Sequence, residues 1–360
     1  MDGHSLKNNH RLKINQRIIG DGHPAYLIAE MSANHAQDKN RALEIIHAAK
    51  EAGADCIKIQ TYTADTITLD CRNSYFTFEG DAWKGENLHD LYAKAYTPWE
   101  WQPELKEEAD KIGIDFFSTP FDPTAVDFLE QMNVSFYKIA SFEVVDIPLI
   151  KKTAATGKPI IMSVGMATIQ EIEDAVAAVH SMGNDQLALL KCSSSYPAIP
   201  AHMNLKTIPD MKERFQAPIG LSDHSMGSVA AVTAVALGAN IIEKHFCLGR
   251  EIENPDSAFS MEPGEYRKMV EEIRQAERAM GTVSYELSAE EESSRNTRKS
   301  IFVSADIAKG GTITPENIRV VRPAYGMAPK YYEEVLGRRA KVDIAFGTPL
   351  SWEMLETADS

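Results

Sequence analysis

Short apolar runs recur along the first three-quarters of the chain, each closing on a cluster of polar residues. The runs are Ala25–Ala29, Cys56–Ile59, Ile114–Phe117, Phe136–Ile139, Pro159–Met162, Leu187–Leu190, Ile219–Leu221 and Ile241–Ile242. Between them lie stretches with helical spacing of apolar residues: Arg41–Glu51, Glu100–Lys111, Pro123–Met132, Ile147–Thr156, Ile169–Ser181, Leu205–Phe215 and Val229–Leu237, with Pro263–Met280 after the last run. Gly53 and Gly113 stand where a helix C-cap is needed before the next strand. Strand alternating with helix predicts a parallel sheet clothed by helices. Eight such units predict closure into a (β/α)₈ TIM barrel. An open doubly wound sheet is the alternative, but no GxGxxG loop supports it.

The rhythm is interrupted in three places. Residues 1–14 are polar and predict a loose arm. Residues 63–97, after the second strand, carry many aromatics and few helix signals, and predict a lid or specificity element on the carboxyl-end face. Residues 281–297, rich in Glu and Ser, predict a linker. The barrel is therefore expected over 1–280, with a small turn-rich domain over 298–360 that must dock on another surface.

Parallel strands deliver their carboxyl ends to one face, where sites gather in such folds. The stretch Pro218–His245 brings two strands to that face, one ending Ser222-Asp223-His224 and the other Glu243-Lys244-His245. Two imidazoles on adjacent strand ends can share a divalent metal. The other strand ends present Glu30, Lys58 with Gln60, Thr119, Lys138 with Ser141 and Glu143, Ser163, and Ser194 with Tyr196. Amines and hydroxyls pointing into a barrel are costly unless satisfied. Two lysines among hydroxyls suit phosphate and carboxylate. A lysine there could instead form a Schiff base, or pair with a neighbouring carboxylate.

Composition sharpens this. The 360 residues carry a net charge of −15, from 52 acidic and 37 basic side chains. That disfavours nucleic acid or an anionic membrane as partner and makes a local gathering of lysines more telling. Four cysteines without metal-site spacing point to a reducing compartment. The polar N-terminus lacks a signal-peptide core and no apolar run is long enough to span a bilayer, so a cytoplasmic location is expected.

The series IAEMSANH, KIQTY, FFSTPFD, YKIASFE, MSVGM, GLSDH and EKHF, in order over eight strands, resembles the sialic acid synthase family. The segment KSIFVSADIAKGGTITPENIRVVRPAYGMAP is similar to that family's antifreeze-like (SAF) domain. WKGENLHDLYAKAYTPWEW and NPDSAFSMEP are most similar to the pseudaminic acid synthases of the family. The resemblance implies condensation of phosphoenolpyruvate with an acetamido sugar. It implies a divalent metal (Mn²⁺, Mg²⁺ or Co²⁺) on His224 and His245, and phosphoenolpyruvate on Lys58, Thr119, Lys138, Ser141, Ser163, Ser194 and Ser222. Some relatives have Asn at the position of Ser194. Glu30 and Glu143 become acid/base candidates, and Gln60, Tyr196, Asp256 and Arg322 line the sugar site, Arg322 reaching it from the other subunit of a domain-swapped homodimer. An N-acetylneuraminate or legionaminate synthase, a Schiff-base aldolase on the same barrel, and a non-catalytic sugar- or ice-binding protein are the competing readings.

Overall fold

The computed structural model describes residues 11–79 and 84–357; the first ten residues of the expected arm and residues 80–83 of the insertion lie outside them. The chain divides into two units, Met1–Gly281 and Thr282–Ser360. The first opens on an antiparallel hairpin, β1 (Arg11–Ile14) with β2 (Arg17–Gly20). This corrects the loose arm expected over 1–14 for its described part. In RLKI the apolar residues alternate, and Leu12, Ile14 and Ile19 are buried against Tyr26, Cys56 and Ile241, which begin their strands. The hairpin thus plugs the end of the barrel where the strands start.

Eight parallel strands close the barrel: β3 (Tyr26–Glu30), β4 (Cys56–Thr61), β5 (Asp115–Pro120), β6 (Tyr137–Ile139), β7 (Ile160–Ser163), β8 (Leu187–Cys192), β9 (Ile219–Asp223) and β10 (Ile241–His245). Closure is made by β10, which pairs with both β3 and β9. The helices of this unit are α1 (Lys39–Glu51), α2 (Ala64–Ile67), α3 (Leu88–Ala95), α4 (Gln102–Ile112), α5 (Pro123–Gln131), α6 (Ile147–Ala154), α7 (Ile169–Ser181), α8 (Thr207–Phe215), α9 (Val229–Ala236) and α10 (Pro263–Met280). Side-chain caps set many starts: Asp38 accepts from Asn40 and Arg41 N–H, and Asp122 from Thr124 and Ala125 N–H. The insertion after β4 is more helical than its composition predicts. Asn87 caps α3, and a Thr63–Thr66 capping box starts α2. None of the described helices is long and apolar enough to cross a membrane.

The second unit has its own core of Ile301, Val303, Ile313, Ile318, Val335, Ala340 and Leu350. Where a linker was expected, a Ser288–Glu291 capping box starts α11 (Ala289–Ser294). An antiparallel pair follows, β11 (Ser300–Val303) with β12 (Ile318–Val321), then α12 (Tyr332–Val335).

Side chains alternate across each barrel strand. One set (Leu27, Ile57, Phe116, Ile139, Met162, Leu189, Leu221, Ile242) packs into the layer shared with the helices. The other faces the barrel axis, and its character changes along every strand. It runs from Ile28 to Glu30, Cys56 to Lys58 and Gln60, Phe117 to Thr119, Phe136 to Lys138, Ile161 to Ser163, and Ile241 to Glu243 and His245. The starting half is apolar and filled; the carboxyl half is polar. Gly220 belongs to the filled half. A Cβ there would lie 2.6 Å from Leu190 Cδ2 and 2.7 Å from Ile241 Cβ. Gly220→Ala is expected to destabilise the protein by about 1–3 kcal/mol through overpacking, seen as a lower urea midpoint; an unchanged midpoint would show that the interior has room to spare.

Candidate active site

Glu243 stands at the centre of the polar half. Its Oε1 lies 2.8 Å from Lys58 Nζ and 3.7 Å from Lys138 Nζ. Lys58 also meets Glu30 Oε2 at 3.2 Å, and Gln60 Nε2 donates to Glu30 Oε1 at 2.9 Å. All these charged side chains are buried. Burial pulls the Lys138 pKa down to about 8 despite Glu243. For Lys58, burial acts the same way but Glu243 and Glu30 outweigh it and hold the ammonium firmly charged. Burial also pushes Glu30 up to about 7, against the pull of Lys58. Glu243 resists its own burial because two ammoniums face it, and stays below the usual range. Buried charges are tolerable only when paired in this way.

Hydroxyls ring this group. Thr119 Oγ1 and Ser163 Oγ are buried without a hydrogen-bond partner among the described residues. Such groups are rare in folded proteins and mark a place for a ligand. Ser141 Oγ accepts from Gly165 N–H at 3.0 Å. A Cβ on Gly165 would sit 2.9 Å from Ser141 Oγ, 3.2 Å from Cys192 Cβ, and against Ser194 Oγ, so only glycine lets the loop after β7 approach these side chains. Ser222 is buried on β9, opposite Glu243 in register.

The two histidines meet at the same rim, their ring centroids 5.4 Å apart. His224 Nδ1 lies 3.1 Å from the Ser193 carbonyl, which can only accept, so Nδ1 carries a hydrogen; burial opposes charge on the ring, but Cys192 and this carbonyl outweigh it and raise its pKa. His245 Nδ1 is buried with no partner among the described residues. Burial, helped by His224 and Lys58, holds His245 well below its ordinary pKa and therefore neutral. Two imidazoles with uncommitted nitrogens fit a divalent cation that completes its shell from water and substrate. No group of three or more His, Cys, Asp or Glu ligands forms among the described residues.

Above these groups opens a cavity of about 290 Å³. One side is polar, with Ser32, Gln60, Glu143, Tyr196, His245 and Asp256. The other is apolar and comes largely from the insertion, with Ile67, Leu91 and Tyr92 joined by Phe121 and Phe142. The insertion therefore walls the site. The Tyr196 ring packs tilted against the His224 ring, their centroids 4.3 Å apart. Glu143 is pushed up to about 7, chiefly by burial, with Lys138 opposing and Asp146 adding to the rise; its Oε2 has no hydrogen-bond partner among the described residues. Asp256 has a double role. Its Oδ2 accepts from Ala33 N–H at 3.0 Å, which pins the turn after β3, and its side chain also lines the cavity.

Of the predicted residues, those on the barrel gather at one rim. Arg322 lies elsewhere in the chain, exposed directly after β12 in the second unit. Asn34 and His35, from the same segment as Glu30, serve as supports. They bond to Ser260 Oγ at 2.9 Å and Thr97 Oγ1 at 3.2 Å. Glu243, Gly165, Ser32 and the apolar wall were not among the predicted site residues. Glu243 was detectable by spacing, since it is two residues before His245 on one strand and shares its face.

The chain matches the model of the NeuB family over residues 45–285 and that of the SAF domain over residues 298–356. It is 44% identical to the pseudaminic acid synthase of Helicobacter pylori over 92% of this chain and 98% of that protein. Identity to the pseudaminic acid synthase of Campylobacter jejuni serotype O:2 is 45%, over 90% of this chain and 95% of that protein. Among solved structures, the N-acetylneuraminic acid (sialic acid) synthetase of Leptospira borgpetersenii, in complex with citrate, superposes with a TM-score of 0.71 at 33% identity. That match covers 79% of this chain and 95% of that structure. With its barrel, its SAF domain and these relatives together, the chain belongs to the NeuB family.

Proposed function

We propose that the chain is a pseudaminic acid synthase. It condenses phosphoenolpyruvate with a 2,4-diacetamido-2,4,6-trideoxyhexose (6-deoxy-AltdiNAc) and water, giving pseudaminic acid and phosphate by C–O cleavage. The observation that carries this reading is the buried Lys58–Glu243–Lys138 group, set among unpartnered hydroxyls beside His224 and His245, with a half-apolar cavity above that His245 lines. Greater identity to the two pseudaminic acid synthases than to the sialic acid synthetase supports the choice of sugar. The apolar wall suits the methyl groups of such a sugar.

In this reading Lys58 and Lys138 clamp the phosphate and carboxylate of phosphoenolpyruvate, with Thr119, Ser141, Ser163, Ser194 and Ser222 donating hydroxyl hydrogens. A divalent cation (Mn²⁺, Mg²⁺ or Co²⁺) on His224 and His245 would supply Lewis-acid polarisation of the sugar aldehyde. Gln60, Tyr196 and Asp256 orient the sugar so that its aldehyde carbon faces the enol carbon. That carbon–carbon bond forms at the expense of the enol double bond, leaving an oxocarbenium carbon. Water adds there, giving up a proton to Glu143, and the carbon–phosphate oxygen bond then breaks. Glu30, tethered to Gln60 and Lys58, is the second acid/base candidate and meets the proton demand of the aldehyde oxygen. The ties of both lysines to Glu243 favour charge clamping over an imine.

The functional unit is a domain-swapped homodimer in this proposal, Arg322 of each copy completing the sugar site of the other. Exposed Val145, Met166, Ile199 and Met226 on the loops that follow β6 to β9, with Val229 opening α9, are apolar side chains that a covered rim would shield.

Three outcomes are expected. Purified protein should release phosphate from phosphoenolpyruvate with the diacetamido trideoxyhexose. In a panel of hexoses, turnover of N-acetylmannosamine instead would identify an N-acetylneuraminate-type synthase. Chelation or His245→Ala should abolish the activity, and full activity after thorough metal removal would reject the metal role. Second, Glu143 is protonated below about 7 and ionised above it. As the base for water it makes kcat/KM rise with pH through that range. Glu143→Gln should lose this limb and ~10²–10⁴-fold in rate; an unaltered limb would assign the titration elsewhere. Third, Arg322→Ala and His224→Ala variants, each inactive alone, should regain part of the activity when subunits exchange. Confirmed exchange without recovery would rule out a shared site.

A further inference from the structure

One buried ion pair takes no part in the chemistry above. Asp223 and Lys244 lie side by side in register on β9 and β10. Lys244 Nζ is 2.7 Å from Asp223 Oδ2 and donates to the Ser225 carbonyl at 2.5 Å. Asp223 Oδ1 accepts from Ser225 N–H at 2.8 Å and from Ser225 Oγ at 2.6 Å. Both side chains are almost completely buried. Strand alternation puts them on the outer face of the barrel, since their neighbours at ±2, Leu221, Ile242 and Phe246, belong to the apolar layer under the helices. They are the only strand residues of β9 and β10 on that face that carry charge.

A buried ion pair is weak as a source of stability, because desolvation offsets most of its attraction, and apolar residues of similar volume often serve as well. What it adds is direction. Each partner immediately precedes a histidine: Asp223 precedes His224 and Lys244 precedes His245. The pair is the last rung of the β9–β10 ladder before the two imidazoles. Through Ser225 it also fixes the turn that aims His224 across the rim. We propose that Asp223 and Lys244 are positioning residues that set the spacing and aim of His224 and His245, and so the affinity of that pair for a divalent cation. The proposal rests on the metal reading above. Supporting groups behind metal ligands typically change metal affinity ~10–100-fold when removed.

The test is Mn²⁺ binding to the full-length protein, followed by electron paramagnetic resonance of free Mn²⁺ and by calorimetry. Its arms are wild type, the double variant D223L/K244M and the near-isosteric Asp223→Asn. The double variant replaces the pair by apolar side chains and is expected to unfold cooperatively, close to the wild-type temperature. Its Mn²⁺ Kd should rise ~10–100-fold, while phosphoenolpyruvate affinity measured without metal stays at the wild-type value. A double variant that folds and binds Mn²⁺ with the wild-type Kd would overturn the proposal. If that variant does not fold, Asp223→Asn decides by the same Kd comparison, weakened binding supporting the proposal and wild-type binding overturning it. Wild-type protein that binds no Mn²⁺ removes the two-histidine metal reading itself, and the positioning role with it; that failure appears in the wild-type arm alone.

Discussion

Two ammonium groups sharing one carboxylate, deep in a closed barrel, form the arrangement on which the site depends. Glu243 holds Lys58 and Lys138 in place and makes their buried charge tolerable. Without Glu243, two buried lysines would shed protons or draw in water. The depressed pKa of Lys138 shows how close that limit lies. Glu30, raised toward neutrality, adds a carboxyl that can be charged or neutral as its surroundings change. An anion entering between the lysines therefore meets a group whose charge is already balanced and can be rebalanced by one proton.

This arrangement is tolerable because of where it sits. The inward face of every strand is apolar first and polar last, so the charged layer rests on a packed floor of Tyr26, Ile28, Phe117, Phe136, Ile161 and Leu190. Low polarity beneath strengthens each electrostatic contact above. The same alternation separates roles between the faces. Inward residues meet the ligand cavity, whereas the outward pair Asp223 and Lys244 braces the strands that carry the histidines.

Much of the barrel and most of the rim were legible in the sequence, since apolar runs and helical spacing report directly on burial. The runs ended too soon, however. Ile241–Ile242 becomes a strand through His245, and Ile219–Leu221 extends to Asp223. The backbone continues while the inward side chains turn polar, so hydropathy stops reporting the strand where the site begins. The hairpin at Arg11–Gly20 escaped because its apolar face is short and its partner is the barrel floor, far along the chain. The helix Leu88–Ala95 escaped among aromatics, although Asn87 carries its capping signal. Asp256, implied by the resemblance only as a sugar contact, also pins the turn after β3 with the same carboxylate, a structural role its sequence position did not reveal.

The hairpin has a consequence for traffic. With Leu12, Ile14 and Ile19 stoppering one end, the barrel is a cup with a single lip. Whatever reaches the lysines must pass the aromatic rim, and whatever stands nearer the lip blocks the way for anything deeper. Arrival and departure are then ordered by depth: the ligand seated lowest goes in first, and nothing leaves from beneath another.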